Sequence, residues 1–316
     1  MMTSIQKISI GFFGTPKFSL DFLKNLHQNS YKIEYVVTQP PKPSGRGKKV
    51  NFSPVHEWAK KFNYTVFFPK NINDKCFVES IKKIKVDLFV VVAYGQKISR
   101  EILMIPKHMC LNVHTSLLPR WRGASPIQSS IKYGDKETGV SIIKMTEKLD
   151  SGPILNTKKI TICSNDTASS IENKMSLHGN ETLNQAIKDI CSQKFELTPQ
   201  NEDFATYARK ISKEDAKINW KNCASDINRF IRAYNPFPGA WSNVLKKNYR
   251  IKIFETEILE NNKTFKNLKV GECTQCLNVK CNDKFLKIKK LQPEGKKIMT
   301  REEFINGYET SNLFLG

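Results

Sequence analysis

The chain has 316 residues, of which 39% are hydrophobic and 26% are charged. This composition is ordinary for a folded protein and excludes a disordered or fibrous one, and the length suits two domains. The 51 basic and 30 acidic residues give a net charge of +21, so we expect a polyanionic partner such as nucleic acid or an acidic membrane surface. A general bias toward lysine, which makes surfaces basic without a partner, is the alternative.

The first 195 residues predict alternating strands and helices. Thr15 is the expected N-cap of the first helix and Pro16 its first residue. The stretch VDLFVVVAY (86–94) is apolar throughout, as in a central parallel strand that is buried on both faces. The predicted strands are 7–13, 34–38, 86–94, 108–114 and 139–145, and the predicted helices are 16–26, 53–62, 73–84, 125–134 and 165–194. This order indicates an open, mostly parallel α/β sheet with its ligand site at the carboxyl ends of the strands.

The pattern changes after the last of these helices. The stretch 195–215 is polar, and we place a linker at 196–208 between a domain at 1–195 and a second domain at 209–316. A short helix is expected at 226–235, ended by Pro236. The predicted strands that follow are 240–245, 249–259, 268–273 and 284–291. Short strands spaced by turn signals are typical of a small barrel or sandwich.

The eight cysteines occur mostly singly in apolar contexts, which is typical of a reducing compartment. Cys273, Cys276 and Cys281 form a cluster with one CxxC pair, but a zinc site normally needs a fourth ligand. We therefore expect no metal. The N-terminus lacks a long apolar run and an Arg- and Ser-rich leader, and no stretch approaches the length of a membrane span. We expect a cytoplasmic protein with no membrane partner.

The segment LNVHTSLLPRWRG (111–123) ends an apolar strand with two polar residues. Asn112 and His114 are two positions apart, so both project to the same face of the strand, at the edge where ligands bind. An amide donor and an imidazole at one place suit acyl transfer, which needs oxyanion stabilisation and proton transfer. Asp150, in the turn KLDSGP, is the best candidate for a carboxylate beside His114. The alternative is a strand-end Asn, a packed His and a turn Asp without catalytic function.

Two stretches, LNVHTSLLPRWRGASPIQ and TGVSIIKMTEKLDSGPIL, resemble the signature of the 10-formyltetrahydrofolate-dependent formyltransferases. The resemblance implies that Asn112, His114 and Asp150 are catalytic and that 10-formyltetrahydrofolate is the co-substrate. It also implies an α/β protein whose Rossmann-like sheet domain precedes a small OB-like β-barrel domain. The residues that it places at the folate site are Ala93, Tyr94, Gly95, Ser116, Leu117, Leu118 and Pro119.

The stretch TQPPKPSGRGKKV (38–50) contains four basic residues, and no acidic residue occurs between Glu34 and Glu57. Its three prolines and two glycines are expected to keep it out of helix and sheet, as an exposed basic loop. It resembles the insertion loop of formyltransferases that act on methionyl-tRNA, which enters the acceptor arm and contains a functional Arg. The residues that this resemblance assigns to tRNA are Lys42, Arg46, Lys48 and Lys49.

Residues 205–316 include 22 basic and 12 acidic side chains. The stretch KFLKIKKLQPEGKK (284–297) alternates Lys with apolar residues and predicts a strand with a basic outer face. RAYNPFPGAWS (232–242) resembles the opening motif of the family's second domain, a barrel that holds tRNA. Contacts between such a surface and phosphate groups give an affinity that does not depend on the nucleotide sequence of the RNA.

We therefore expect an enzyme that formylates the amino group of initiator methionyl-tRNA, acting as a monomer in a bacterial cytoplasm. One alternative is a formyltransferase for an amino-sugar nucleotide or another small amine, which would not need the loop at 42–49. Another is a tRNA-binding protein with an inactive catalytic domain. The sequence leaves open the division of proton transfer between His114 and Asp150, the kinetic order, and the role of the cysteine cluster.

Overall fold

The computed structural model describes residues 8–44, 49–245, 249–260 and 268–316. The chain forms two compact units, and both are discontinuous in sequence. The first unit comprises Met1–Gly123, Gly139–Ile160 and Glu172–Tyr207, and the second comprises Ala124–Thr138, Thr161–Ile171 and Ala208–Gly316. The domain boundaries at 195 and 209 and the linker at 196–208 stay a prediction.

Within the described residues, the strands have the following bounds: β1 Ser9–Gly14, β2 Lys32–Val37, β3 Lys42–Ser44, β4 Lys49–Asn51, β5 Val66–Phe67, β6 Leu88–Val92, β7 Met109–His114, β8 Arg122–Gly123, β9 Glu137–Lys144, β10 Ile154–Thr161, β11 Tyr207–Ala208, β12 Ala240–Val244, β13 Tyr249–Leu259, β14 Asn278–Lys280, β15 Phe285–Pro293 and β16 Met299–Thr300. The helices are α1 Lys17–Gln28, α2 Pro54–Lys61, α3 Lys75–Lys82, α4 Arg100–Leu103, α5 Pro126–Lys132, α6 Ala168–Cys191, α7 Ala224–Ala233 and α8 Arg301–Gly307. Short 3-10 turns occur at Glu202–Phe204 and Glu214–Ala216.

The main sheet has the strand order β10-β9-β7-β6-β1-β2-β5. Strands β7, β6, β1, β2 and β5 are parallel to one another, and β9 is antiparallel to β7. Every residue of β6 is buried and this strand occupies the centre of the sheet, as its uniformly apolar sequence predicts. The predicted α/β class with a mostly parallel sheet is confirmed.

The N-termini of three helices show how local sequence sets these elements. The hydroxyl of Ser53 accepts a hydrogen bond from the backbone N–H of His56, and Asp74 caps α3 in the same way, as is usual for these residue types.

The prediction that Thr15 caps α1 was wrong, because Pro16 occupies the N-cap position. The Thr15 hydroxyl instead donates to the carbonyl of Tyr94 and accepts from the N–H of Gln39.

The basic stretch 38–50 is not wholly outside sheet structure, so that part of its prediction was wrong. β3 and β4 pair antiparallel, with Pro43 opposite Val50. A two-stranded ribbon has only edge strands, so a proline without an N–H can be accommodated there. Lys42 is exposed. Arg46 and Lys48 lie outside the described residues, as does the side chain of Lys49.

The second unit contains an antiparallel sheet of order β12-β13-β15-β14, with β16 beside β15. The predicted strands at 240–245, 249–259 and 284–291 correspond to β12, β13 and β15, whereas the predicted strand at 268–273 was wrong. Only isolated bridges at Glu272 and Cys273 occur there. Gly271 has φ +89°, and a Cβ at this position would approach the carbonyl oxygen of Leu315 to 2.3 Å. This left-handed, tightly packed glycine interrupts the extended conformation.

Candidate active site

The carboxyl ends of β6 and β7 place the predicted catalytic and folate residues at one edge of the sheet. Asn112 lies opposite Val91 in the parallel register of these strands, and the loop Ala93–Gly95 follows β6 directly. His114 ends β7 and is only 5% exposed. The two polar residues share a face of β7 because side chains alternate along a strand.

Asp150 joins them from the turn between β9 and β10. Its Oδ1 atom accepts a hydrogen bond from Nδ2 of Asn112 at 3.2 Å, and its Oδ2 atom accepts one from the backbone N–H of Gly123 at 2.9 Å. Oδ2 lies 3.7 Å from Nδ1 of His114. The structure thus brings together the three residues predicted to be catalytic, while their roles stay a prediction.

The hydrogen bonds of His114 define which ring nitrogen is available. Nε2 lies 2.9 Å from the carbonyl oxygen of Trp121. Because a carbonyl can only accept, Nε2 must hold a proton and donate it. In the neutral ring, Nδ1 is then the basic nitrogen, and it faces the Asp150 carboxylate. A proton taken up at Nδ1 would lie between the imidazole and this carboxylate, which would stabilise the imidazolium.

Asn112 can serve two partners at once. An amide nitrogen has two hydrogens, and among the described residues only one is used, in the bond to Asp150. The second is available to an oxygen on which negative charge develops, and the bond to Asp150 fixes the orientation of the amide in advance. Preorganised donors of this kind contribute about 3 kcal/mol to acyl transfer.

The predicted folate loop at Ser116–Pro119 is held by hydrogen bonds from serine hydroxyls within the loop and on β9. The Ser116 hydroxyl donates to the carbonyl of Arg120 at 2.6 Å. The Ser141 hydroxyl donates to the carbonyl of Ser116 and accepts from the N–H of Leu118. The Leu118–Pro119 peptide is cis. The hydroxyl groups of Ser116 and Ser141 thus fix the backbone of the loop, and its contact with folate stays a prediction.

The second predicted folate segment, Ala93–Gly95, has an unusual backbone. Ala93 has φ +44° and Gly95 has φ +89°, in the left-handed region that favours glycine. The carbonyl of Tyr94 accepts hydrogen bonds from Thr15 and from Nε2 of Gln39. The Tyr94 phenol is buried without a hydrogen-bond partner among the described residues, and burial raises its pKa.

Two residues that the sequence did not point to, Gln200 and Glu202, hold the side chain of Arg122. Arg122 is 0% exposed and forms a bidentate pair with Glu202, at 3.0 and 2.9 Å. Its guanidinium also donates to Oε1 of Gln200. The Arg122 and Lys148 side chains lower the pKa of Glu202 to about 2. No sequence pattern distinguishes these partners within a polar stretch. The only signal is the general need of a buried arginine for a carboxylate.

The basic face predicted on β15 is partly neutralised. Lys287 and Lys289 lie 3.8 and 3.1 Å from Glu257, and Lys290 lies 3.0 Å from Glu255. The alternation of Lys with apolar residues therefore predicted the buried positions of β15 correctly. It did not predict that glutamates of β13 lie beside the lysines and offset part of their positive charge.

A groove of about 300 Å³ in the second unit has a different character. The Arg250 guanidinium lies 4.3 Å from the centre of the Trp241 ring, and Nζ of Lys252 donates to the carbonyl of Pro238. Phe237 is 73% exposed and lines the same groove, as does Lys213. Cations next to exposed aromatic rings are a common arrangement for binding single-stranded nucleic acid.

No metal or membrane site is indicated by the described residues. They include no group of three His, Cys, Asp or Glu side chains that could hold a metal ion. Cys273 and Cys281 are buried free thiols and Cys276 is exposed. Across the described part of the chain, no helix is both long and apolar enough to cross a membrane.

Comparison with known proteins agrees with this arrangement. Residues 6–187 match the family described as formyl transferase, and residues 210–309 match the formyl transferase C-terminal domain. This chain belongs to the formyl transferase family. It is 40% identical over 307 residues to the methionyl-tRNA formyltransferase of Buchnera aphidicola subsp. Schizaphis graminum, with 96% of each chain covered. It is 38% identical over 304 residues to the methionyl-tRNA formyltransferase of Legionella pneumophila strain Paris, with the same coverage.

Solved structures of proteins with lower sequence identity share the fold. The N-formyltransferase of Helicobacter canadensis, in complex with folinic acid and dTDP-3-aminofucose, has a TM-score of 0.63 at 18% identity and covers 88% of this chain and 97% of its own. HypX of Aquifex aeolicus, in complex with tetrahydrofolic acid, has a TM-score of 0.64 at 18% identity over 93% of this chain. The formyl transferase chain described here spans about half of HypX, 46% of its length.

Proposed function

We propose that this formyltransferase moves a formyl group from 10-formyltetrahydrofolate to the amino group of initiator methionyl-tRNA, for translation initiation. The observation that supports it best is the 40% identity, over 96% of both chains, to a methionyl-tRNA formyltransferase. The geometry supplies the chemistry, since Asn112, His114 and Asp150 meet at the ligand edge of the sheet.

Attack on the formyl carbon requires a neutral amine. An α-amino group has a pKa near ~8, so an appreciable fraction is neutral at cellular pH. When the nitrogen bonds to the formyl carbon, negative charge develops on the formyl oxygen, and the second Nδ2 hydrogen of Asn112 donates to it. Collapse of the tetrahedral intermediate breaks the bond to N10 of the folate and releases tetrahydrofolate.

The nitrogen that attacks must lose a proton as the intermediate forms. Nδ1 of His114 is the acceptor, because Nε2 already donates to the carbonyl of Trp121. The imidazolium that results is stabilised by the Asp150 carboxylate, 3.7 Å away. We assign Asp150 to orientation and charge stabilisation, and His114 to proton transfer toward the N10 leaving group.

The folate co-substrate is assigned to the loops beside this triplet. Both follow strand ends at the same edge, and both have backbones fixed by hydrogen bonds. The residues that we propose to contact folate are Ala93, Tyr94, Gly95, Ser116, Leu117, Leu118 and Pro119.

The tRNA is assigned to two basic regions. The two-stranded ribbon of β3 and β4 presents Lys42, and we assign Arg46, Lys48 and Lys49 to the acceptor arm with it. The deep groove of A-form RNA is closed to side chains except near a helix end, which is where an acceptor stem holds its amino acid. The groove of Arg250 and Lys252 supplies phosphate contacts that are independent of sequence.

A formylation assay tests this proposal. Charged initiator tRNA should be formylated much faster than charged elongator tRNA, with release of one tetrahydrofolate for each product. Equal rates on both tRNAs would contradict specificity for the initiator. If no tetrahydrofolate were released, the result would favour a tRNA-binding protein without catalytic activity. If only an amino-sugar nucleotide were formylated, the result would favour a formyltransferase that acts on small amines.

We propose in addition that the enzyme acts as a monomer in a bacterial cytoplasm. The relatives named above are bacterial. Light scattering on the purified protein should give a mass near 36.3 kDa, whereas a mass twice as large would contradict the monomer.

A further inference from the structure

The stretch assigned to a linker contains a glutamine that contacts the turn of Asp150. Nε2 of Gln200 donates to the carbonyl oxygens of Asp150 at 2.9 Å and Gly152 at 2.7 Å. Oε1 of Gln200 accepts from Nε and Nη2 of Arg122, at 3.0 and 2.8 Å. A glutamine amide offers two donor hydrogens and an oxygen with two lone pairs. Its full hydrogen-bonding capacity is therefore used in joining these two segments.

The two joined segments are also the ones that hold the catalytic carboxylate. Gly123, the residue after Arg122, donates its N–H to Oδ2 of Asp150 at 2.9 Å. Asp150 itself has φ +47°, in a left-handed conformation that residues other than glycine adopt at an energetic cost. A turn with this backbone needs support from its surroundings, and Gln200 binds the carbonyl group of the strained residue.

We propose that Gln200 is a positioning residue for the formyl transfer. It fixes the Asp150 turn relative to Gly123, and so holds the carboxylate against Asn112 and His114. The inference rests on the proposed function. Gln200 acts through the backbone of Asp150, so its loss should lower kcat and leave the binding of folate and tRNA nearly unchanged.

The substitution Gln200→Glu separates positioning from a purely structural role. Glutamate has the same length and can still accept from Arg122, but its carboxylate cannot donate to the carbonyls of Asp150 and Gly152. We expect kcat to fall about 10- to 100-fold, because displacing catalytic groups by about 1 Å can cost on the order of 100-fold in rate. The KM values for both substrates should change less than about threefold. The thermal unfolding midpoint should remain within a few degrees of the wild-type value.

Asn201→Ala is the matched control. Asn201 is the next residue, is exposed, and caps the turn Glu202–Phe204 by accepting from the N–H of Asp203. Among the described residues it forms no hydrogen bond with Arg122 or Asp150. It should retain kcat within about twofold. Equal loss of kcat in both variants would overturn the inference, because it would show a general effect of loosening this segment. Wild-type kcat in Gln200→Glu would also overturn it.

Gln200→Met is the second variant if the glutamate protein does not fold. Methionine is of similar length and also removes both donors, but it removes the acceptor for Arg122 as well. We therefore expect a loss of kcat at least as large. Failure of both variants to fold would overturn the inference in favour of a role in folding alone. If the wild-type enzyme did not formylate charged initiator tRNA, the proposed function would be refuted. A loss of activity confined to the Gln200 variants would leave the proposed function intact, so the two results can be distinguished.

Discussion

The first unit concentrates its functional polar groups at one point, whereas the second unit spreads its charges over a surface. His114 is buried, and the Asp150 carboxylate accepts two hydrogen bonds from fixed donors. On β15, by contrast, Lys289 is 42% exposed and Lys290 is 55% exposed, and each pairs with a glutamate of β13. The polar residues of the first unit therefore act through their fixed positions, and those of the second unit act through their charge.

The free energy expected from a single interaction also differs between the two units. Leaving a buried donor or acceptor without its partner costs about 1–3 kcal/mol, while an exposed ion pair contributes about 0–1 kcal/mol. Substitutions at the sheet edge should therefore have large effects on the chemical step. Substitutions on the basic surface should have small and salt-dependent effects on binding.

The largest effect is expected for Asn112→Ala. Loss of the oxyanion donor should lower kcat by about 10²- to 10³-fold, in a steady-state assay with charged initiator tRNA. The exposed residue Asn29, whose amide donates to the carbonyl of Asn25 at the end of α1, provides a control in Asn29→Ala. Near-wild-type turnover of Asn112→Ala would rule out the oxyanion role.

A smaller but specific effect is expected for Arg46→Ala. If Arg46 contacts the acceptor arm, kcat/KM for charged tRNA should fall about 10- to 100-fold, as for loss of a hydrogen bond to a charged group. The KM for 10-formyltetrahydrofolate should not change. Arg100→Ala, at an exposed position of α4, is the matched control. Unchanged activity of Arg46→Ala would favour a small amine as the acceptor.

The groove and the β15 face should differ in their contribution to RNA binding. Lys252→Ala should weaken tRNA binding several-fold and reduce the slope of log K against log salt by about 1. Lys289→Ala should have less effect, because the neighbouring Glu257 already offsets its charge. Fluorescence anisotropy at several salt concentrations measures both. An equal effect of the two substitutions would remove the distinction between the two surfaces.

The smallest effect concerns acid stability. Arg122, followed by Lys148, lowers the pKa of Glu202 from 4.5 to about 2. A depressed carboxyl pKa adds stability above the unfolded value, and this stability is lost as the pH falls through about 2. The Glu202→Gln variant should unfold at a slightly lower temperature at pH 6, by less than about 3 °C. The difference from wild type should shrink between pH 5 and pH 2 in thermal unfolding measurements.

The sequence identified most elements of the fold because their signals are local. The apolar stretch at 86–94 indicated a central strand, and Ser53 and Asp74 stand at the N-caps of their helices. The errors came from contacts that are distant in sequence. Thr15 has the chemistry of an N-cap, but its hydroxyl is used by Tyr94 and Gln39. The stretch 268–273 has the composition of a strand, but Gly271 packs against the carbonyl of Leu315.

In the candidate site, too, local sequence signals and contacts distant in sequence gave different information. The sequence by itself determined the chemical types and their edge of the sheet: an amide and an imidazole two positions apart on a strand, and a carboxylate in a later turn. Only the tertiary structure decided that Nδ1 of His114 is the nitrogen that faces Asp150, and that Gln200 and Arg122 support the turn. Strand alternation fixes which face a side chain occupies. The hydrogen-bond partners of each atom can lie far away in sequence, as Glu202 lies 80 residues from Arg122, and no local pattern specifies them.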